Sequence, residues 1–326
     1  MLKRKIQAYI ERYFKSNSNK MLVIDGARQV GKSFIIREIG RRMFSNYIEI
    51  NFAKDKTSDH IFENAKTLEE FYFQLSTIAG NKMREKENTL VFLDEIQIYP
   101  HLLTLAKFLK EDDRFTYIAS GSQLGVTLRQ TVSIPVGSLE IKHMYQLDFE
   151  EFLWANGFGD FAISMIQRKF LARESPDEIM HKRLLDLFKK YLLVGGMPDA
   201  VNEFISSRNI VAVRNIQKNI RHLYGLDASQ YDIEKKLKIT HIYSLIPSYM
   251  ENKKKRIVYK NIEGGDKRWK DYADEFEYLI SSGITSEVKV IAAPVFPLVE
   301  SASKNLIKLY LNDVGLLRDC RLMFSI

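Results

Sequence analysis

Cysteine is almost missing from this sequence, since Cys320 is its only thiol. No internal disulfide can form, so a disulfide-framed secreted domain is excluded and a cytoplasmic location is expected. Long apolar runs are missing as well. No stretch approaches the roughly 18 uninterrupted apolar residues of a membrane-spanning helix, which argues against an integral membrane protein. The basic start Met1-Leu2-Lys3-Arg4-Lys5 is not followed by the apolar core of a signal peptide, because Gln7, Glu11 and Arg12 interrupt Ile6 to Phe14 and make it an amphipathic helix. The histidines His60, His101, His143, His181, His222 and His241 show no metal-ligand spacing, and with a single cysteine no zinc site is expected. Neither a Ser-His-Asp nor a Cys-His nucleophile arrangement can be read from the chain.

What is present is the balance of a folded protein. Apolar residues make up 45% and charged residues 28% of 326, enough for two or three packed units. The net charge of +8 and isoelectric point of 9.2 suit an acidic partner such as nucleic acid or a phosphorylated ligand. They suit an ordinary solubilising surface equally well.

The first half alternates between two periods. Met21 to Asp25 is a short apolar run, and helix spacing follows through Phe34, Ile35, Ile36 and Ile39. Tyr47 to Asn51, Thr89 to Asp94 and Phe115 to Ser120 repeat the strand pattern, with helix spacing around Leu68 to Ile78 and Leu102 to Leu109. Such alternation predicts a parallel sheet with helical crossovers, an α/β fold. Val136 to Tyr145 reads as a last strand. From Asp148 the chain turns predominantly helical, and a domain boundary is expected there. Asp177 to Leu193 reads as an amphipathic helix stopped by Gly195-Gly196 before Pro198, and Val211 to Tyr224 as the next one. Val288 to Ala292 is expected to be a short strand.

Two motifs carry the chemistry. Gly26-Ala27-Arg28-Gln29-Val30-Gly31-Lys32-Ser33 satisfies every fixed position of the phosphate-loop pattern, after an expected strand and at the start of an expected helix that begins near Phe34. Glycines let the backbone N–H groups close around phosphate, and the helix start adds its positive end. Lys32 is expected on the β- and γ-phosphates and the Ser33 hydroxyl on Mg²⁺. The second motif is the strand Leu90-Val91-Phe92-Leu93 ending in Asp94-Glu95. Asp94 is expected to hold the metal and Glu95 to polarise an attacking water. A third strand end, Ser120-Gly121-Ser122, offers Ser120 or Ser122 to the γ-phosphate or the water, or is a plain turn. ATP and Mg²⁺ are the cofactors this set implies, with ADP as product.

With these motifs in this order, the chain resembles an AAA-type P-loop ATPase of the bacterial and archaeal group that carries a domain of unknown function after its ATPase module. The segments Gly121 to Gly125, Met144 to Trp154, Tyr191 to Ala200 and Lys308 to Leu317 sharpen the likeness across almost the whole chain. The resemblance implies a P-loop core over 1–147, a helical lid over 148–226 and a winged-helix-like part over 227–326. It also implies that Gly196 and Pro198 approach the nucleotide base, although a helix stop followed by a turn accounts for them equally well. Two departures stand out. Many relatives place Arg or Lys after the glycine where this chain has Ser138, which leaves Arg129 either as the arginine-finger candidate, acting from a neighbouring copy in a homo-oligomer, or as a solvated helix arginine. Relatives also continue into a nuclease-like module, which is not expected here.

Lys253-Lys254-Lys255-Arg256 and Lys267-Arg268-Trp269-Lys270 combine cations with an aromatic ring, as DNA contacts do, or form a solvated charge run. The leading expectation is therefore an ATPase. A nucleotide-gated DNA- or protein-binding switch with negligible turnover is the alternative, and a small-metabolite kinase is disfavoured by the Asp94-Glu95 pair.

Overall fold

Strand residues with both faces apolar make the centre of the first unit. The computed structural model describes residues 1–326 apart from 17, 85–87, 123, 126–136, 229–235, 252–256, 258, 265–267, 292, 299–301 and 318–326. Arg129, the Lys253 to Arg256 run, Lys267 and Cys320 lie outside the described residues. The chain forms two compact units, one of residues 4–145 and one of residues 1–3 with 146–326.

In the first unit, strands β1 (Met21–Asp25), β2 (Asn46–Asn51), β3 (Thr89–Asp94), β4 (Thr116–Gly121) and β5 (Leu139–His143) form one sheet in the order β2-β3-β4-β1-β5. Every pairing is parallel. The crossovers hold helices α1 (Lys5–Lys15, before β1), α2 (Lys32–Met43), α3 (Phe52–Thr57), α4 (Leu68–Ala79) and α5 (His101–Asp112). This is the parallel sheet the alternation predicts, including the last strand, which is shorter than expected.

Because side chains alternate across a strand, each strand serves two layers. Met21, Val23, Ile48, Ile50, Val91, Leu93, Tyr117 and Ala119 face one core, shared with Phe71 and Leu75 of α4 and Leu102, Leu105 and Ala106 of α5. Leu22, Ile24, Leu90, Phe92 and Ile118 have the opposite parity and are fully buried with Ile35, Ile36 and Ile39 of α2. Each fully buried aliphatic or phenyl side chain contributes about 2 kcal/mol. The parity decides the site: Asn51, Asp94 and Ser120 share the face of Leu90 and Phe92 at the carboxyl ends of adjacent strands.

The second unit runs α6 (Phe149–Ala155), α7 (Asp160–Ala172), α8 (Glu178–Val194), α9 (Pro198–Ser207), α10 (Ile210–Ala228), α11 (Lys236–Glu251), α12 (Lys260–Glu263) and α13 (Ala273–Ser281). An antiparallel pair follows, β6 (Thr285–Ile291) and β7 (Ala302–Leu311). Local signals start these helices. Asp148 and Glu151 make a reciprocal capping box for α6, and Asp177 caps α8 by accepting from Met180 N at 2.9 Å. No helix among the described residues is long and apolar enough to cross a membrane.

The segments that carry the family likeness in this unit converge on one buried carboxylate. Asp313 accepts hydrogen bonds from the backbone N–H groups of Gly196 (2.6 Å), Gly315 (2.9 Å) and Leu316 (3.2 Å). Gly196 also accepts from Leu147 N at 2.8 Å, and Tyr191 donates to the Leu147 carbonyl at 2.8 Å. A Cβ on Gly196 would overlap the Leu147 backbone, so only glycine fits this approach. Burial pushes the Asp313 carboxyl up to about 6 from an ordinary 3.8, against the three N–H bonds that pull it down.

Candidate nucleotide site

The turn between β1 and α2 is set by close approach of backbones. Gly26 lies so near the chain just past β5 that a Cβ would overlap the Met144 carbonyl, and Met144 N donates to Asp25 O at 2.7 Å. Gly31 sits in the left-handed region as the N-cap of α2 and supplies no side-chain cap. The helix therefore opens toward the loop with backbone N–H groups, the arrangement that receives anions.

Lys32, the first residue of α2, is buried and donates to the carbonyls of Gly26 at 2.9 Å and Ala27 at 2.8 Å. Burial lowers its pKa, while the nearby carboxylates of Glu95, Asp25 and Asp94 oppose that shift. The ammonium is thus held against the inside of the loop it is expected to serve. Ala27 and Val30 are buried, Arg28 is half-buried, and Gln29 and Phe34 are exposed, Gln29 at a positive φ of 64°. Behind the loop, Arg4 donates to the Val30 carbonyl at 3.0 Å and to the Tyr145 carbonyl at 2.5 Å, so a buried guanidinium braces it.

Opposite the loop, Asp94 is 2% exposed and gathers side-chain donors from three directions. Ser33 donates to Oδ1 at 2.7 Å, Ser120 also donates to Oδ1, and Asn51 Nδ2 donates to Oδ2 at 2.9 Å. Asn51 and Asp94 are register partners, which places the amide beside the carboxylate. Ser33 and Asp94 provide two hard oxygen ligands a hydrogen bond apart, the donor chemistry that suits Mg²⁺. Among the described residues no group of three or more His, Cys, Asp or Glu side chains gathers as a cage for a metal. A magnesium ion here would draw its remaining ligands from water and phosphate.

Glu95 leaves the strand through a left-handed turn at φ 59° and ψ 46°. Its Oε2 accepts from Ser122 Oγ at 3.3 Å and from Gln97 Nε2. The structure therefore brings Gly26 to Phe34, Asp94, Glu95 and Ser122 into one unit. Gly196 and Pro198 belong to the other, where Gly196 is occupied by the Asp313 and Leu147 contacts and Pro198 begins α9. Sequence reasoning missed Arg4, Asn51 and Gln97. Strand parity could have found Asn51, because it ends β2 as Asp94 ends β3.

The geometry and the comparisons agree on the class. A family profile described as an AAA domain matches residues 18–153, and one described as a domain of unknown function (DUF8612) matches residues 185–324. The chain thus carries a P-loop AAA-type ATPase domain joined to an uncharacterised C-terminal domain. A Walker-type ATPase of Pyrococcus abyssi shares the fold at a TM-score of 0.57 and 12% identity, over 98% of this chain and 96% of that one. The ORC1 protein of Aeropyrum pernix, solved in complex with DNA, aligns over 99% of this chain and 91% of its own at 13% identity and a TM-score of 0.35. No curated protein matches significantly in sequence.

Proposed function

We propose that this protein is a magnesium-dependent ATPase that hydrolyses ATP to ADP and phosphate and couples its nucleotide state to the C-terminal unit. The observation that carries the reading is the meeting of Ser33, at the start of the phosphate-loop helix, with Asp94, at the end of the acidic strand. In this reading the N–H groups of Gly26 to Ser33 enclose the phosphates and Lys32 trades its loop carbonyls for β- and γ-phosphate oxygens. Ser33 and Asp94 would hold Mg²⁺, which when bound neutralises charge on the transferring phosphoryl group. Glu95 accepts the proton of the water that attacks the γ-phosphorus, and the bond to the ADP oxygen breaks. Ser122 orients that water or the γ-phosphate. The contacts of Gly196 within its own unit support a structural turn there over contact with the base.

Purified protein is expected to release phosphate from Mg-ATP. Glu95→Gln should bind ATP as the parent does while turnover falls at least about 100-fold. Turnover equal to the parent would remove Glu95 as the base.

The order α11, α12, α13 and then β6–β7 supports a winged-helix-like arrangement, as does Ile257 N donating to Ile307 O at 3.4 Å, which adds the chain between α11 and α12 to β7. A helix offered to DNA needs cations. Here α13 carries Asp274, Glu275 and Glu277 and neither Lys nor Arg, leaving the exposed Arg268 and Lys270 ahead of it. This favours a protein over DNA as the partner of a nucleotide-gated switch, the second reading. Measuring DNA affinity with and without ATP at two salt concentrations decides it: a nucleotide-dependent, salt-sensitive gain restores DNA as the partner.

A further inference from the structure

We infer that Gln97 is a positioning residue for hydrolysis, tethering one oxygen of the Glu95 carboxylate so that the other faces the attacking water; this rests on the ATPase reading above. The left-handed turn at Glu95 leads directly into the 3₁₀ turn Ile96–Ile98, which folds Gln97 back over the carboxylate it follows by two residues. A glutamate held in that backbone region costs of order 1 kcal/mol and persists only where the surroundings fix it. Ile98 N holds its carbonyl at 3.0 Å, and Gln97 holds its side chain together with Ser122.

Its amide uses both ends. Nε2 donates to Glu95 Oε2 and to Ser122 Oγ at 3.1 Å, while Oε1 accepts from Ser122 N at 3.2 Å. Ser122 Oγ in turn donates to the same Glu95 Oε2 at 3.3 Å, closing a ring of three side chains across the ends of β3 and β4. The amide cannot be flipped without setting its carbonyl against the carboxylate and its NH₂ against the Ser122 N–H. Both donors fall on Oε2, and Oε1 accepts from no group among the described residues. A carboxylate gripped by one oxygen keeps the lone pairs of the other for a proton acceptor's work, with its rotation removed beforehand.

The hydrogen bonds of Gln97 go to Glu95 and Ser122, whereas those of Lys32, Ser33 and Asp94 go elsewhere, so the tether acts on the base and leaves the phosphate-binding groups alone. A plain strap between β3 and β4 would have a different signature, because its loss would loosen the fold without changing how the rate depends on pH.

The test is steady-state hydrolysis of Mg-ATP by the full chain from pH 5 to 9, with thermal melting and Mg-ATP calorimetry alongside, for Gln97→Ala and the isosteric Gln97→Glu. Gln97→Ala is expected to lower kcat about 10- to 100-fold with KM and Mg-ATP affinity within about 3-fold, and to move the acidic limb of the pH–rate profile upward. Gln97→Glu, which sets a second carboxylate against Glu95, should move that limb further. Parent-like kcat and pH profile in both variants overturn the inference, as does a loss confined to melting temperature and KM. Should the parent bind Mg-ATP without hydrolysing it, the base assignment fails separately. The tether is then read from the infrared carboxylate band isolated as the parent-minus-Glu95→Gln difference: a frequency shift in Gln97→Ala supports it and an unshifted band refutes it.

Discussion

Two buried aspartates, one in each unit, show how the same residue can be built for opposite ends. Asp94 and Asp313 are both 2% exposed, and each accepts three hydrogen bonds. Asp94 takes all three from side chains, two hydroxyls and an amide, whose rotors can turn away when a cation arrives. Asp313 takes all three from backbone N–H groups, which cannot leave without unfolding the Gly196 turn and the helical turn that starts at Val314. A carboxylate with exchangeable donors can serve a ligand, whereas one locked to backbone is a joint.

The sharpest way to break that contrast is to weaken the loop that faces Asp94. Lys32→Ala is expected to cost more than about 100-fold in Mg-ATP affinity while moving the melting temperature little, since it removes a buried charge whose partners are loop carbonyls. Calorimetry of the variant against the parent checks it.

Next in size is the stability cost at the joint. Asp313→Ala strands three backbone donors and is expected to destabilise the second unit by about 3 kcal/mol or more, with Mg-ATP affinity within about 2-fold of the parent. Asp94→Ala should show the reverse, a smaller loss in urea midpoint and a large loss in Mg-dependent affinity. Identical phenotypes for the two variants would erase the distinction.

The folded Asp313 carboxyl titrates near 6 and the unfolded one near 3.8, so between these values the native state holds the proton more tightly. Its contribution is most favourable below about pH 4, falls as pH rises through that window and is level above it. The whole difference between those two values corresponds to roughly 3 kcal/mol. Urea unfolding of parent and Asp313→Asn at pH 4 and 7 should therefore show the parent losing about 2 kcal/mol relative to the variant on going to the higher pH. A constant gap between the two curves counts against the burial argument.

The smallest expected effect is at Asn51. Asn51→Ala removes one of the Asp94 donors and should weaken Mg-ATP binding by about 5-fold, the equivalent of one hydrogen bond of about 1 kcal/mol. A loss as large as that of Lys32→Ala would mean that Asn51 meets the nucleotide itself.

The sheet and the phosphate loop were legible because both are written in local patterns. Apolar runs bounded by Gly26 or Asp94 can only be buried parallel strands when helix-period segments separate them, and a loop motif specifies its own backbone. The order of the strands was not legible, since nothing local states that β4 lies between β1 and β3. For that reason Ser120 and Ser122 stood as alternatives in the sequence, and the structure separates them by position along the chain, with Ser120 inside β4 on Asp94 and Ser122 just past its end on Glu95. Gln97 escaped notice because its meaning depends on the left-handed turn at Glu95. Asp313 escaped because the contacts that explain it reach back 117 residues to Gly196.

Titration calorimetry of the folded full chain with ATP in excess magnesium tests the central claim most directly. Saturable heat with one nucleotide per chain is expected, lost in Lys32→Ala and weakened when magnesium is chelated. Absence of any binding heat with magnesium-loaded ATP or GTP in a protein shown to be folded would contradict it.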